Sequence, residues 1–155
     1  MRKLTRRFII NSLDNLNLSK PIRYERYYIN DKIRIQRKNN QYQIEILDSS
    51  NNIVEKNDIL ENEFLNLKEK AYSEIIRDSY LLLEDSRISI KKYLGKYKGL
   101  YRVEVTFTSI EEENMYIKDS WMGQEITNSP LAFDIYLSKL SVEEFKKELK
   151  KYLNK

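Results

Sequence analysis

The stretch GLYRVEVTF, residues 99–107, sets Leu100, Tyr101, Val103, Val105 and Phe107 as apolar positions against Arg102, Glu104 and Thr106 on the opposite side. A period of two is the signature of a strand with unlike faces. An arginine, a glutamate and a threonine in line need water or a polar partner. The same pattern recurs along the chain. Lys3, Thr5 and Arg7 alternate with Leu4 and Phe8; Arg34 and Gln36 with Ile33 and Ile35; Gln43 and Glu45 with Ile44 and Ile46; Ser89 and Lys91 with Ile88 and Ile90. Two architectures follow. One is an open antiparallel sheet with helices on its apolar face and water on the other. The other is an antiparallel β-barrel, a tunnel with a polar lumen and helices packed outside. Only the second gathers the polar faces around a charged ligand.

Strand-like runs are read at residues 2–10, 22–29, 32–38, 41–47, 74–83, 87–94 and 100–107, separated by turn signals such as KNN at 38–40, DSSNN at 48–52 and GKYKG at 95–99. Connections this short make antiparallel hairpins. Helical spacing appears where Leu60, Phe64, Leu67 and Ala71 form a stripe, and Ser109 with Glu112 and Ser141 with Glu144 match capping boxes. The last of these predicts a C-terminal helix at about 141–153, with acids early and lysines late. The fold class is therefore α+β, in a single domain spanning 1–155.

Composition removes much chemistry. With 41% hydrophobic residues and twelve Tyr, the chain is too apolar and aromatic for disorder. No Cys and no His means no thiolate, no imidazole base and no zinc site of the usual kind. What remains is carboxylate, Lys/Arg and hydroxyl chemistry, or hard cations on oxygen ligands. The net charge of +4 leans toward an anionic partner. No apolar run approaches the roughly 20 residues of a bilayer span, so a cytoplasmic protein without membrane contact is expected.

Residues 88–127, ISIKKYLGKYKGLYRVEVTFTSIEEENMYIKDSWMGQEIT, closely resemble the second half of the CYTH domain, the fold of triphosphate tunnel metalloenzymes. The shared elements are Gly95, Gly99 and Leu100, then VEVTF, a Ser109-capped acidic helix, and Trp121, Gly123, Glu125 and Thr127. Looser resemblance extends over roughly 3–140. It implies eight antiparallel strands closed into a tunnel, in which glutamates hold Mg²⁺ or Mn²⁺ and Lys and Arg hold a triphosphate. The reactions it implies are phosphoryl or nucleotidyl transfer, which rest on charge neutralisation and positioning.

This chain departs from that pattern at the metal. The family's first-strand E-x-E-x-K falls on Lys3, Thr5 and Arg7; its inward acids on the ISIKK strand fall on Ser89 and Lys91; and VEVTF keeps Glu104 but has Thr106 in place of a second acid. Its basic positions fall near Leu47, on Arg34 and Gln36, and near Arg77 and Ser79. The resemblance thus implies Arg7, Arg34 and Arg77 as phosphate forks, with Lys3, Lys91 and Arg102 as accessory charges. Glu104, Glu25 and Glu45 are the candidate metal ligands. Six inward cations against those three glutamates predict a lumen that binds an anion.

Three functions follow. The first is a tunnel that binds a phosphorylated ligand, nucleotide or polyphosphate, with metal-dependent catalysis reduced or lost. The second is an active Mg²⁺- or Mn²⁺-dependent triphosphatase or class IV type adenylate cyclase. The third is an interaction module on a barrel scaffold, in which RYERYYI and the lysine-rich C-terminal tail contact protein or, more weakly, nucleic acid. Trp121, Met122 and Glu111 to Glu113 read as packing and a solvated helix start.

Overall fold

A computed structural model describes residues 4–153. Eight strands form one antiparallel sheet: β1 (Leu4–Ile10), β2 (Ile22–Tyr28), β3 (Ile33–Lys38), β4 (Gln41–Leu47), β5 (Ile53–Asp58), β6 (Ser73–Leu81), β7 (Ile88–Leu94) and β8 (Tyr101–Phe107). Their spatial order is β1-β8-β7-β6-β2-β3-β4-β5. Among the described residues the two edge strands, β1 and β5, do not pair, so the expected closed barrel is corrected to an open sheet. It is nonetheless strongly curled. Ile9 on β1 and Leu47 on β4 belong to one buried cluster, although β1 is an edge strand and β4 lies next to the other edge.

Alternation assigns the two faces. On the convex side, Phe8, Ile88, Ile90, Val103, Val105 and Phe107 pack under Trp121, Met122 and Tyr116. Further along, Tyr27, Ile35 and Ile44 pack under Phe64 of α1 (Glu61–Lys68). A short α2 (Ile110–Met115) begins where Ser109 Oγ accepts the Glu112 N–H. These elements lie outside the curl, as a polar interior requires.

The C-terminal elements do not. α3 (Asp134–Leu137) and α4 (Val142–Leu153), with the 3₁₀ turn Pro130–Ala132 before them, fill one end of the concave face. There Leu131, Ile135, Leu137 and Phe145 join Ile9, Tyr28, Ile75, Tyr93 and Leu100 in a dry cluster. The expectation that the helices pack outside is corrected for these two. The reason lies in the inward residues at that end of each strand, which are apolar and need a cover. Part of the channel is therefore hydrocarbon, and only the remainder of the concave face is polar.

The edges are managed differently. Residues 123–127 run along β1, with the Gly123 N–H donating to Ile9 O at 2.8 Å and the Ile126 N–H to Arg7 O at 2.8 Å. The approach requires glycine, because a Cβ at Gly123 would lie 2.4 Å from the Ile9 carbonyl oxygen. At the other edge, all six β5 residues are exposed, and its charged sequence IVEKND blunts the open ladder. Among the described residues no helix is long and apolar enough to cross a membrane.

Candidate functional site

Strand register sets the polar part of the concave face. Pairing places Arg7 opposite Glu104, Ser89 opposite Glu104, Lys91 opposite Arg102, Ser79 opposite Lys91 and Tyr24 opposite Arg77. Directly opposed residues share a face. Arg7, Glu104, Arg102, Ser89, Lys91, Ser79 and Arg77 therefore form one continuous surface over β1, β8, β7 and β6.

At the floor of this surface stands Asp134, at the start of α3. Its carboxylate accepts from Arg26 at 2.9 Å, Arg77 at 3.0 Å, Arg102 at 3.3 Å and the Tyr93 hydroxyl at 2.6 Å. Burial alone would raise its pKa. The guanidinium groups of Arg77, Arg102 and Arg26, with the Tyr93 hydrogen bond, win and hold it well below the usual carboxylate range. Glu104 is balanced in the same way. Burial opposes its charge, but Lys91, Arg102 and Arg7 keep its carboxyl ionised far below the ordinary value.

Five cations, Arg7, Arg26, Arg77, Lys91 and Arg102, thus face two carboxylates, and the surplus shows in unmet hydrogen-bonding capacity. Among the described residues, Arg7 Nε, Arg77 Nη1 and Arg102 Nε are buried without a hydrogen-bond partner. Buried donors are seldom left so. Arg7 donates to Thr5 Oγ1 at 2.6 Å, sits 3.8 Å from Glu104, and lies over the Phe133 ring at 4.4 Å. Lys91 donates to Ser79 Oγ at 2.8 Å and Ser89 Oγ at 3.1 Å. Its amine is pushed down to about 7, first by burial and then by the charges of Arg77, Arg102 and Arg26 against the opposing pull of Glu104.

The residues read from sequence divide into groups. Arg7, Arg77, Lys91, Arg102 and Glu104 come together. Lys3 lies outside the described residues. Arg34 shares the concave face but is occupied, donating to the fully buried Glu45 at 2.7 Å, with Lys56 at 3.3 Å on the other oxygen of the same carboxylate. Glu25 is corrected to the opposite face, where it accepts from Tyr27 at 2.9 Å and lies 3.7 Å from Arg37. Arg26 takes the inward place on β2 instead, donating to Gln36 at 2.7 Å. Glu104, Glu25 and Glu45 are therefore not gathered. Among the described residues no group of three or more acidic side chains converges as a metal site.

The donor set also disagrees with a divalent cation on chemical grounds. Mg²⁺ and Mn²⁺ want several carboxylate or water oxygens with spare negative charge. Here Asp134 is shared by three arginines, and Glu104 is flanked by Arg7 and Arg102. The residues present do not fit the metal that the resemblance implies.

Two residues escaped the reading of the sequence. Asp134 is the lone acid in the otherwise apolar run LAFDIYL, a pattern that marks either an end of a helix or a buried charge with partners. Arg26 was hidden because both faces of RYERYY carry charge, leaving its parity open.

No family model matches the sequence, and no curated protein does. Among solved structures, the chain is similar to NE1496 in two crystal structures, one described as a hypothetical protein and the other as an inorganic triphosphatase. The first superposes with a TM-score of 0.74 at 16% identity, over 90% of this chain and 99% of that one. The second gives 0.72 at 16% identity, over 89% and 95%. At that identity the likeness shows a shared fold: this chain has the architecture of NE1496, here as an open eight-stranded sheet.

Proposed function

We propose that the chain is a CYTH-like domain whose concave face binds a phosphorylated anion, nucleotide or polyphosphate, through Arg7, Arg77, Lys91 and Arg102, without a bound metal. The observation that carries this reading is the set of three buried, unpartnered guanidinium N–H groups on Arg7, Arg77 and Arg102, beside a lysine with only hydroxyl partners. A phosphate oxygen supplies both the missing acceptors and the missing charge. Thr5, Ser79, Ser89 and Thr106 lie on the same face and add neutral hydrogen-bonding capacity. The similarity to a protein described as an inorganic triphosphatase supports the ligand class.

Hydrolysis or cyclisation of a triphosphate in this family's manner needs a divalent cation, and the acids here do not assemble a site for one. The reading is therefore of a binding protein. Titration calorimetry with inorganic triphosphate and with ATP, each in EDTA and in Mg²⁺, tests it. Binding in EDTA is expected, and Arg7→Met is expected to weaken it by about tenfold or more, the worth of one charge-assisted hydrogen bond. Arg7 suits this test because its ion pair with Glu104 is long, at 3.8 Å, and Asp134 takes its hydrogen bonds from the other arginines. Absence of binding in both media would overturn the reading.

A further inference from the structure

Lys91 is an unusual lysine by position. Lysines normally reach for water or a carboxylate. This one is drawn into the concave face, and its Nζ is steadied by two hydroxyl groups, Ser79 Oγ and Ser89 Oγ. The nearby carboxylate does not pair with it. Glu104 instead accepts from Arg102 at 3.0 Å. The positive charges of Arg77 on β6, Arg102 on β8 and Arg26 on β2 act on the amine against the pull of Glu104. A hydroxyl accepts a proton's hydrogen bond without stabilising an ammonium as a carboxylate does, so the ammonium loses its usual preference and the free amine becomes accessible near neutral pH. Desolvation next to other cations is how lysine becomes a nucleophile at neutral pH.

We propose that Lys91 is a reactive amine that forms an imine with an aldehyde carrying a phosphate group, the phosphate being held by the unpartnered N–H groups of Arg7, Arg77 and Arg102. The amine lone pair adds to the aldehyde carbon and a proton passes from nitrogen to oxygen. Water then leaves as the C=N bond forms. Atoms balance without oxidant, reductant or metal. The two recognition elements are distinct: the guanidinium groups select the anion, and Lys91 selects the carbonyl. The inference rests on the anion-binding reading above but adds a covalent step to it.

Pyridoxal 5′-phosphate is a suitable probe, with borohydride to fix the imine and peptide mapping by mass spectrometry to locate it. At one equivalent and neutral pH, the adduct is expected on Lys91 ahead of the exposed lysines of the C-terminal helix. Excess inorganic triphosphate should suppress it. Pyridoxal without its phosphate should label Lys91 about tenfold more slowly or worse, since it forgoes a charge-assisted contact. Labelling spread over surface lysines with Lys91 unmodified would overturn the proposal, as would equal rates with and without the phosphate. Calorimetry with triphosphate on the same sample separates the two readings. Triphosphate binding without a Lys91 adduct defeats only the imine, whereas loss of both defeats the anion site as well.

Discussion

Lys91 and Glu104 are both shifted downward in the fold, in different pH windows, and each leaves a mark on stability. In the unfolded chain the Lys91 amine stays protonated up to its ordinary value of 10.5, while in the fold it is pushed down to about 7. Between those values the unfolded chain holds a proton that the folded one lacks, so this group's contribution to stability rises with pH across that window. Glu104 acts with the same sign at lower pH. Its folded carboxyl lies below its unfolded value, so its contribution is present above that value and is lost as pH falls into the acid range. Urea unfolding of wild type and Lys91→Met from about pH 7 to about pH 9 isolates the first effect, because methionine does not titrate. Wild type is expected to gain on the variant as pH rises, and parallel profiles would show that Lys91 stays charged in the fold. Asp134 is the other decisive residue. Its removal leaves Arg26, Arg77 and Arg102 without their shared anion, and Asp134→Ala is expected to cost about 3–5 kcal/mol in urea unfolding. Inorganic triphosphate should recover more stability for this variant than it adds to wild type, since it brings back an acceptor the arginines have lost.

At the scale of elements, legibility followed the two-residue rhythm. Strands with one apolar and one polar face, such as β7 and β8, could be placed in sequence and given the correct inward side, because a single register satisfies both faces. β5 could not. Its apolar residues Ile53 and Val54 are adjacent instead of alternating, and it is held by backbone pairing to β4 and by the Lys56–Glu45 ion pair, neither of which has a hydrophobic signature. β2 was legible as a strand but not in parity, and that ambiguity exchanged Glu25 for Arg26. The amphipathic stripe of α4 was equally plain, yet a stripe says that a helix is covered and not by which side of a sheet. Its Phe145 is buried edge-on against Tyr97, 5.1 Å between ring centroids, inside the curl. Phe145→Ala is accordingly expected to cost about 3–5 kcal/mol, read by thermal or urea unfolding. A cost near that of a surface residue would place α4 off the sheet. Gly123→Ala tests the strap along β1: its Cβ must displace a backbone carbonyl, and a loss of about 1–3 kcal/mol is expected.

For the whole molecule, the governing feature is how the polar and apolar parts of one curled face are divided. The C-terminal elements supply an oily floor, and that floor delivers a single carboxylate, Asp134, to three arginines. Over β1, β8, β7 and β6 the polar side chains above the floor are cations and hydroxyl groups, except Glu104. Such a surface attracts phosphate charge directly, so a divalent ion bound to the ligand competes with the protein for the same oxygens. Triphosphate affinity is therefore expected to be at least as high in EDTA as in Mg²⁺, and to fall as millimolar Mg²⁺ complexes the free ligand. It should also decline with ionic strength, though less steeply than an exposed contact would, because partly buried charges are screened less than those in water. A site that works through a metal gives the reverse order, with chelation abolishing binding and Mn²⁺ or Mg²⁺ restoring it. Measured side by side, the two titrations distinguish a fold that has kept its anion chemistry while exchanging metal for arginine from one that assembles its metal only when the ligand arrives.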